Sequence, residues 1–396
     1  MLVFVLNAGS SSLKYQLIDI KSKELKASGL VERIGIDGIL KHEIGENKKI
    51  TFELPIPTHK EAIELVLRIL TNDETKVINS IDEIKAIGHR VVHGGEYFKG
   101  SVIVDDEVIR KIEELIPLAP LHNPANILGV KICKDLMPKV PNVVTFDTAF
   151  HRTMPMENFL YAVPYADYTE HHLRKYGFHG TSHYYVSQEA IKLLNKKDSK
   201  VIVCHLGNGS SVCAVKDGKS ISTSMGLTPL EGLVMGTRSG DIDAGVIPYL
   251  MEKKGLNHIQ ILDYLNKKSG ILGVSGVSSD LREVIKASND GDKRSKIAIT
   301  MLCDRIKKYL CSYAGLMHGV DAICFTAGIG ENSDLIREKV CEGLEFMGIE
   351  IDKDKNSKRE KGNREINTKN SKTKIFVIPT NEELVIATDT YNLLKK

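Results

Sequence analysis

The chain has 396 residues, of which 42% are hydrophobic and 27% charged, with a formal net charge of +3 at pH 7. That length points to two domains of an ordinary globular composition, and so small a charge implies no nucleic-acid partner. No apolar run approaches the roughly 18 residues of a membrane span, and no basic-then-apolar leader with a small-residue cleavage site opens the chain, so a cytoplasmic protein with no membrane partner is expected.

Residues 2–6, Leu-Val-Phe-Val-Leu, read as a buried strand. Asn7 follows, then a Gly9-Ser10-Ser11-Ser12 turn and an alternating second strand over 13–18. Helical periodicity is expected over residues 60–70, 106–115, 124–137 and 183–195, with strands at 86–88 and 143–146. A second strand–turn–strand begins at Val201, passes through Gly207-Asn208-Gly209-Ser210-Ser211, and resumes at Val212 with about two extra residues in its turn. Recurrence about 200 residues apart suggests a duplicated domain rather than a solenoid, whose periods are shorter. Further helices are expected over 257–268, 293–318 and 334–346, with strands at 322–326 and 375–379. The basic stretch 353–374 reads as a solvated loop or hairpin. The last helix, 382–394, follows the final strand of the second lobe and is expected to cross back onto the first. Strands interleaved with helices give an α/β class, and two such lobes leave a ligand cleft between them.

Local chemistry refines that last helix. Thr380 precedes an apolar-periodic run with Glu383 three residues later, the pattern of a capping box in which Glu383 returns to the Thr380 N–H. That leaves Glu382 free for other work. The seven cysteines form no Cys-x-x-Cys pair and sit mostly among apolar neighbours, as core hydrophobes do. His171, His172, His179 and His183 lack both the Cys partners and the His-Glu-x-x-His spacing of a zinc site.

Neither common nucleotide motif is present. Gly218-Lys219-Ser220 ends like a phosphate loop, but Cys213 stands where its first Gly belongs, and Val212 stands where a dinucleotide fingerprint has its third. Two Gly-rich turns, at Gly207 to Ser211 and Gly328-Ile329-Gly330-Glu331-Asn332, offer backbone N–H groups to phosphates. The first turn adds Asn7 as an oxygen ligand for Mg²⁺, the Ser10 and Ser12 hydroxyls, and the Lys14 charge. The alternative for that turn is a solvent-exposed hairpin tip.

The segment Asn7-Ala8-Gly9-Ser10-Ser11-Ser12-Leu13-Lys14 resembles the opening motif of the acetate kinases. The resemblance continues through Gly88-His89-Arg90-Val91-Val92-His93-Gly94-Gly95, Pro120-Leu121-His122-Asn123-Pro124 and Phe146-Asp147-Thr148-Ala149-Phe150-His151. It runs on through Tyr176-Gly177-Phe178-His179-Gly180-Thr181-Ser182-His183, His205-Leu206-Gly207-Asn208-Gly209-Ser210, Thr228-Pro229-Leu230-Glu231-Gly232 and Gly236-Thr237-Arg238-Ser239-Gly240-Asp241. The Gly328 turn and Pro379-Thr380-Asn381-Glu382-Glu383 complete it, in family order over nearly the whole chain.

The family implies two duplicated α/β lobes of the sugar kinase, Hsp70 and actin type, here about 1–148 with the returning helix 383–396, and 149–382 carrying the nucleotide. It implies reversible phosphoryl transfer from MgATP to acetate, giving acetyl phosphate and ADP, with Mn²⁺ able to replace Mg²⁺, in a homodimer. By resemblance Arg90 holds the acetate carboxylate, while His179 and Arg238 stabilise the phosphoryl group in transfer. Asp147 carries an acid/base role in that reading. Acetate is already ionised near neutral pH, however, so transfer needs positioning and charge rather than a base. His122 is a supporting polar residue, and Val92, Leu121, Phe178 and Pro229 accept the methyl group. Asn7 and Glu382 define the Mg²⁺ site. Ser10, Ser12, Lys14, His205, Leu206, Gly207, Asn208, Gly209, Asp280, Leu281, Arg282, Gly328, Ile329, Gly330, Glu331 and Asn332 surround ATP. The rivals are a propionate or butyrate kinase with a larger alkyl pocket, and a non-catalytic ATP switch of the actin or Hsp70 kind.

Overall fold

Val3, Phe4, Val5 and Leu6 are all buried, because strand β1 (Leu2–Ala8) is covered on both faces. Phe4, Leu6 and Ala8 pack with residues of the helices His59–Thr71 and Asn123–Leu136, while Val3 and Val5 pack with Ile386 and Ala387 of the last helix, Glu382–Leu394. The computed structural model describes residues 1–45 and 48–395. It divides the chain into a first unit, Met1–Phe150 with Asn381–Lys396, and a second, His151–Thr380. Among the described residues no helix is long and apolar enough to cross a membrane.

The first unit holds β2 (Leu13–Asp19), β3 (Glu24–Glu32), β4 (Ile39–Ile44), β5 (Lys48–Glu53), β6 (Ile84–Val91), β7 (Val102–Ile103) and β8 (Asn142–Phe146). They form one sheet in the order β5-β4-β3-β2-β1-β6-β8-β7. Gly88 lets the last helix lie directly on β6: a Cβ there would stand 2.6 Å from Ile386 Cγ2 and 2.8 Å from Thr390 Oγ1.

The second unit holds β9 (Lys200–Leu206), β10 (Ser210–Lys216), β11 (Lys219–Thr223), β12 (Ala322–Thr326), β13 (Arg364–Glu365) and β14 (Lys374–Val377), in the order β11-β10-β9-β12-β14-β13. The long helix Lys293–Met317 buries Ile299, Leu302, Ile306 and Leu310 against this sheet. The orders β3-β2-β1-β6-β8 and β11-β10-β9-β12-β14 match. Each has an antiparallel meander followed by two strands parallel to the first. The duplication is therefore in the topology as well as in the sequence.

Several local expectations change. The β1–β2 turn spans four residues between paired Ala8 and Leu13, and the β9–β10 turn spans three between Leu206 and Ser210, so the second copy is shorter, not longer. The expected helix over 334–346 stops at Cys341 and resumes only as a 3-10 turn, Glu345–Met347, because Gly343 takes φ +79°. The turn at Gly328 is itself a short helix, Ala327–Asn332. The stretch 353–374 contains the helix Lys353–Ser357 and edge strand β13. All seven cysteines are free, and six are buried.

The capping box at the last helix does not form. Asn381 is the N-cap, its side-chain oxygen accepting the Leu384 N–H at 3.0 Å. Thr380 instead donates its N–H to Glu331 Oε1 at 3.4 Å and hydrogen-bonds Ser182 Oγ at 2.8 Å. Glu383 pairs with Lys14.

Candidate functional site

In the first unit, β6 runs parallel to both β1 and β8, so the carboxyl ends of three strands lie side by side. Asn7 near the end of β1, Arg90 near the end of β6 and Asp147 just past β8 meet there, at the edge where α/β sheets commonly place ligands. Arg90 donates to Asp147 through Nε at 3.0 Å and through Nη2, a forked pair, and Nη1 donates to Asn7 Oδ1 at 3.3 Å. Asp147 is 2% exposed and Arg90 23%. Burial works against the Arg90 charge, but Asp147, Glu382 and Glu383 outweigh it and raise its pKa.

Glu382, the first residue of the last helix, faces the same charges. Burial pushes its carboxyl up to about 7; Arg90 opposes this, and Asp147 and Glu383 add to it. Both Asp147 oxygens are engaged by a guanidinium that never loses its proton.

The β1–β2 turn is tight. Gly9 N–H donates to Ser12 O at 2.8 Å, and a Cβ on Gly9 would stand 2.8 Å from Ser12 Oγ. His59 Nε2 lies 2.7 Å from Gly9 O and braces the turn, a contact between residues 50 apart. Ser10 and Lys14 are exposed, and Ser12 is half-buried.

In the second unit, His179 sits in the left-handed region (φ 58°) just before the helix Gly180–Leu194. Its Nδ1 is 2.9 Å from Ser211 Oγ, and its ring stacks on His205 with centroids 4.1 Å apart. His205 Nδ1 in turn lies 2.8 Å from Ser182 Oγ. Ser211 also hydrogen-bonds the fully buried His183. No local pattern in the sequence marks Ser211, because the β9–β10 turn offers only its backbone N–H groups; the strand register, opposite His205, places the side chain.

Arg238 is carried by a loop pinned from several sides. Asp241 Oδ1 accepts the Gly232 N–H at 2.8 Å, Asp241 Oδ2 accepts the Tyr309 hydroxyl at 2.8 Å, and Met235 N–H donates to Arg238 O at 3.1 Å. Arg238 Nη1 donates to Pro229 O at 3.3 Å and, weakly, to Met235 Sδ at 3.8 Å. Among the described residues no carboxylate pairs with it, and burial lowers its pKa. An ideal Cβ built on Gly209 would lie 3.5 Å from Arg238 Nη1 and 3.7 Å from His179 Nε2, so both groups border one spot beside this glycine.

Also in the second unit is a cavity of about 830 Å³, lined by Gly207, Asn208, Asp280, Leu281, Arg282, Gly328, Ile329 and Asn332 together with Ser279, Ile285, Ser333, Asp334, Leu335 and Arg359. Its size suits a nucleotide. The second six residues lie outside the motifs that the sequence singles out, and the cavity joins segments more than 150 residues apart. Of the other residues expected around ATP, Leu206 and Gly330 are buried in the unit's interior, where a Cβ on Gly330 would meet Phe325 C at 3.3 Å. Glu331 Oε1 is taken by the Ala327 N–H at 2.9 Å, and His205 and Gly209 belong to the histidine cluster rather than the cavity wall. Arg337, 2% exposed, holds the Gly328 segment by donating to Gly330 O and Glu331 O at 2.8 and 2.9 Å.

Of the residues expected at the methyl group, Val92 and Phe178 are buried, Pro229 is half-buried, and Leu121 is 73% exposed. His122 is exposed, at the start of the helix Asn123–Leu136.

Comparison with known proteins adds a whole-chain match. The model of the acetokinase family matches residues 2–388. An acetate kinase of Treponema denticola is 55% identical over 398 residues, covering 100% of both chains. Among solved structures, Porphyromonas gingivalis acetate kinase is 48% identical with a TM-score of 0.95, and a propionate kinase from Francisella tularensis is 45% identical with a TM-score of 0.93, each covering 99% of both chains.

Proposed function

The chain belongs to the acetokinase family, and from that premise we propose that it is an acetate kinase, transferring a phosphoryl group from ATP to the carboxylate of acetate, and back. The observation that carries the chemistry is Arg238, a half-buried guanidinium with no carboxylate partner among the described residues, which borders the same spot as His179. A partly desolvated cation that no carboxylate neutralises is prepared for an anion brought by a ligand.

Acetate arrives ionised, so the reaction is one of placing two anions together and spreading the charge that moves. Arg90, oriented through Nε and Nη2 by Asp147, turns its remaining guanidinium edge to the acetate carboxylate. Arg238 and His179 stabilise the phosphoryl group in flight. The 830 Å³ cavity receives the nucleotide, with Ser10, Ser12 and Lys14 of the first unit assigned to its phosphates. Val92, Leu121, Phe178 and Pro229 are assigned to the alkyl end of the acid.

Asn7 and Glu382 would hold Mg²⁺, or Mn²⁺ in its place. The fit rests on Glu382: a half-buried residue whose carboxyl desolvation pushes up to about 7, beside two other carboxylates, gains most from a divalent cation. Mg²⁺ characteristically keeps several water and phosphate ligands beside one or two protein oxygens. Bound there, the ion would neutralise phosphate charge. A cytoplasmic homodimer is part of the same reading, and sedimentation of the purified chain tests the dimer.

The propionate kinase among the solved relatives favours one second reading, a longer acid. A hydroxamate assay for acyl phosphate with acetate, propionate and butyrate side by side decides between them. Highest kcat/KM with acetate is expected, and no acyl phosphate from any acid would defeat the proposal.

A further inference from the structure

Ser211 Oγ lies between two imidazoles of the second unit, 2.9 Å from His179 Nδ1 and 2.7 Å from His183 Nε2. A hydroxyl has one hydrogen, so it donates to one ring and accepts from the other. The direction of this chain of bonds decides which nitrogen of His179 carries a proton.

That direction is set at the buried end. His183 is fully buried, its Nδ1 has no hydrogen-bond partner among the described residues, and burial, followed by the neighbouring His151 and His205, drives its pKa well down. The ring is therefore neutral and holds one N–H. On Nδ1 that N–H would be a buried donor with no acceptor, a rarer deficit in folded proteins than an unused lone pair. On Nε2 it is satisfied by Ser211. The Ser211 hydrogen then goes to His179 Nδ1, which must present a lone pair, and the His179 proton stands on Nε2.

We propose that Ser211 and His183 are positioning residues that fix His179 in its Nε2–H form, making it a hydrogen-bond donor toward an anion beside Arg238. The stack on His205 holds the plane of the ring, and the left-handed backbone at His179 sets its direction. The opposite polarity would turn a lone pair toward a phosphoryl oxygen. A protonated His179 would need Ser211 to reverse, leaving His183 with the orphaned N–H. The pair thus keeps His179 a neutral donor. Its catalytic consequence rests on the phosphoryl-transfer reading above; the tautomer itself does not.

The test is two-bond ¹⁵N–¹H correlation spectroscopy of the ¹⁵N-histidine-labelled full chain, with His179 assigned by its loss in His179→Gln. The expected spectrum shows His179 with Nε2 protonated and Nδ1 unprotonated. Ser211→Ala should mix the two forms and lower kcat by about 10- to 100-fold with little change in KM for acetate, as loss of an orienting partner does. Ser211→Thr should keep the tautomer. If Ser211→Ala does not fold, His183→Gln, whose amide N–H reaches for the hydroxyl, should retain more of the Nε2–H form than His183→Leu. A wild-type His179 protonated at Nδ1, or an unchanged tautomer in both Ser211→Ala and His183→Leu, overturns the proposal. Absence of acyl phosphate from wild type, with the tautomer shift present, would sink the kinase reading and leave this assignment standing.

Discussion

Replacing Asp147 by Asn separates an orienting carboxylate from a general base. Asp147 gives both oxygens to Arg90, one contact being Nε at 3.0 Å, and it is 2% exposed, so water cannot substitute for a lost bond. Asn keeps one acceptor and turns an N–H₂ toward the guanidinium in place of the other. One charge-assisted hydrogen bond, worth about 1.5–3 kcal/mol, is lost. At about 1.4 kcal/mol per factor of ten, Asp147→Asn should lower kcat/KM for acetate by about 10- to 150-fold. On the proposed role of Arg90, which is to bind a carboxylate charged before and after binding, the loss should fall mainly on KM for acetate. Hydroxamate trapping at varied acetate and fixed MgATP measures it, with a melting curve to show that the variant folds. The reasoning fails if KM for acetate is unchanged while kcat drops and the variant lacks a rise of kcat with pH that the wild type shows in the same assay, since that is the signature of a missing base.

Arg238→Ala should lower kcat by about 10²–10⁵, and Arg238→Lys should recover only part, because a point charge lacks the planar fork; turnover near wild type in the Ala variant would remove Arg238 from the site. Asn381→Ala should cost about 0.5–2 kcal/mol as a lost N-cap, whereas Glu383→Ala, whose partner Lys14 is 50% exposed, should cost less than about 1 kcal/mol; melting temperatures in the reverse order would return the cap to Glu383. Glu382 titrates near 4.5 when exposed and is lifted to about 7 by burial, so the folded form holds the proton over that interval. Its stabilising contribution is complete below about pH 4.5 and is lost as pH rises through about 7. Glu382→Gln should flatten this fall in Tm, and parallel Tm–pH curves for the two proteins would refute the shift.

Much of this protein is set by short-range chemistry that the sequence carries openly. The apolar run at Val3 to Leu6, the Gly and Ser turns after β1 and β9, and the last helix at Glu382–Leu394 are all decided by neighbours within a few residues. The motifs from Asn7 to Glu383 likewise point to the family without any fold in hand. The capping of the last helix was not settled that way. Thr380 and Asn381 are both capable caps, and only the bonds from Thr380 to Glu331 and Ser182, 49 and 198 residues away, leave the role to Asn381. The same holds for the chemistry. Arg90 and Asp147, 57 residues apart, become an oriented pair only because β6 and β8 lie side by side. Glu382 acquires its raised pKa chiefly from desolvation, to which Asp147, distant in sequence, adds. Ser211 joins two histidines through a strand register that no local pattern specifies. Periodicity and turn propensity are local energies and can be read from the chain; desolvation and ion pairing depend on which distant groups share a space, and the packed sheets alone decide that.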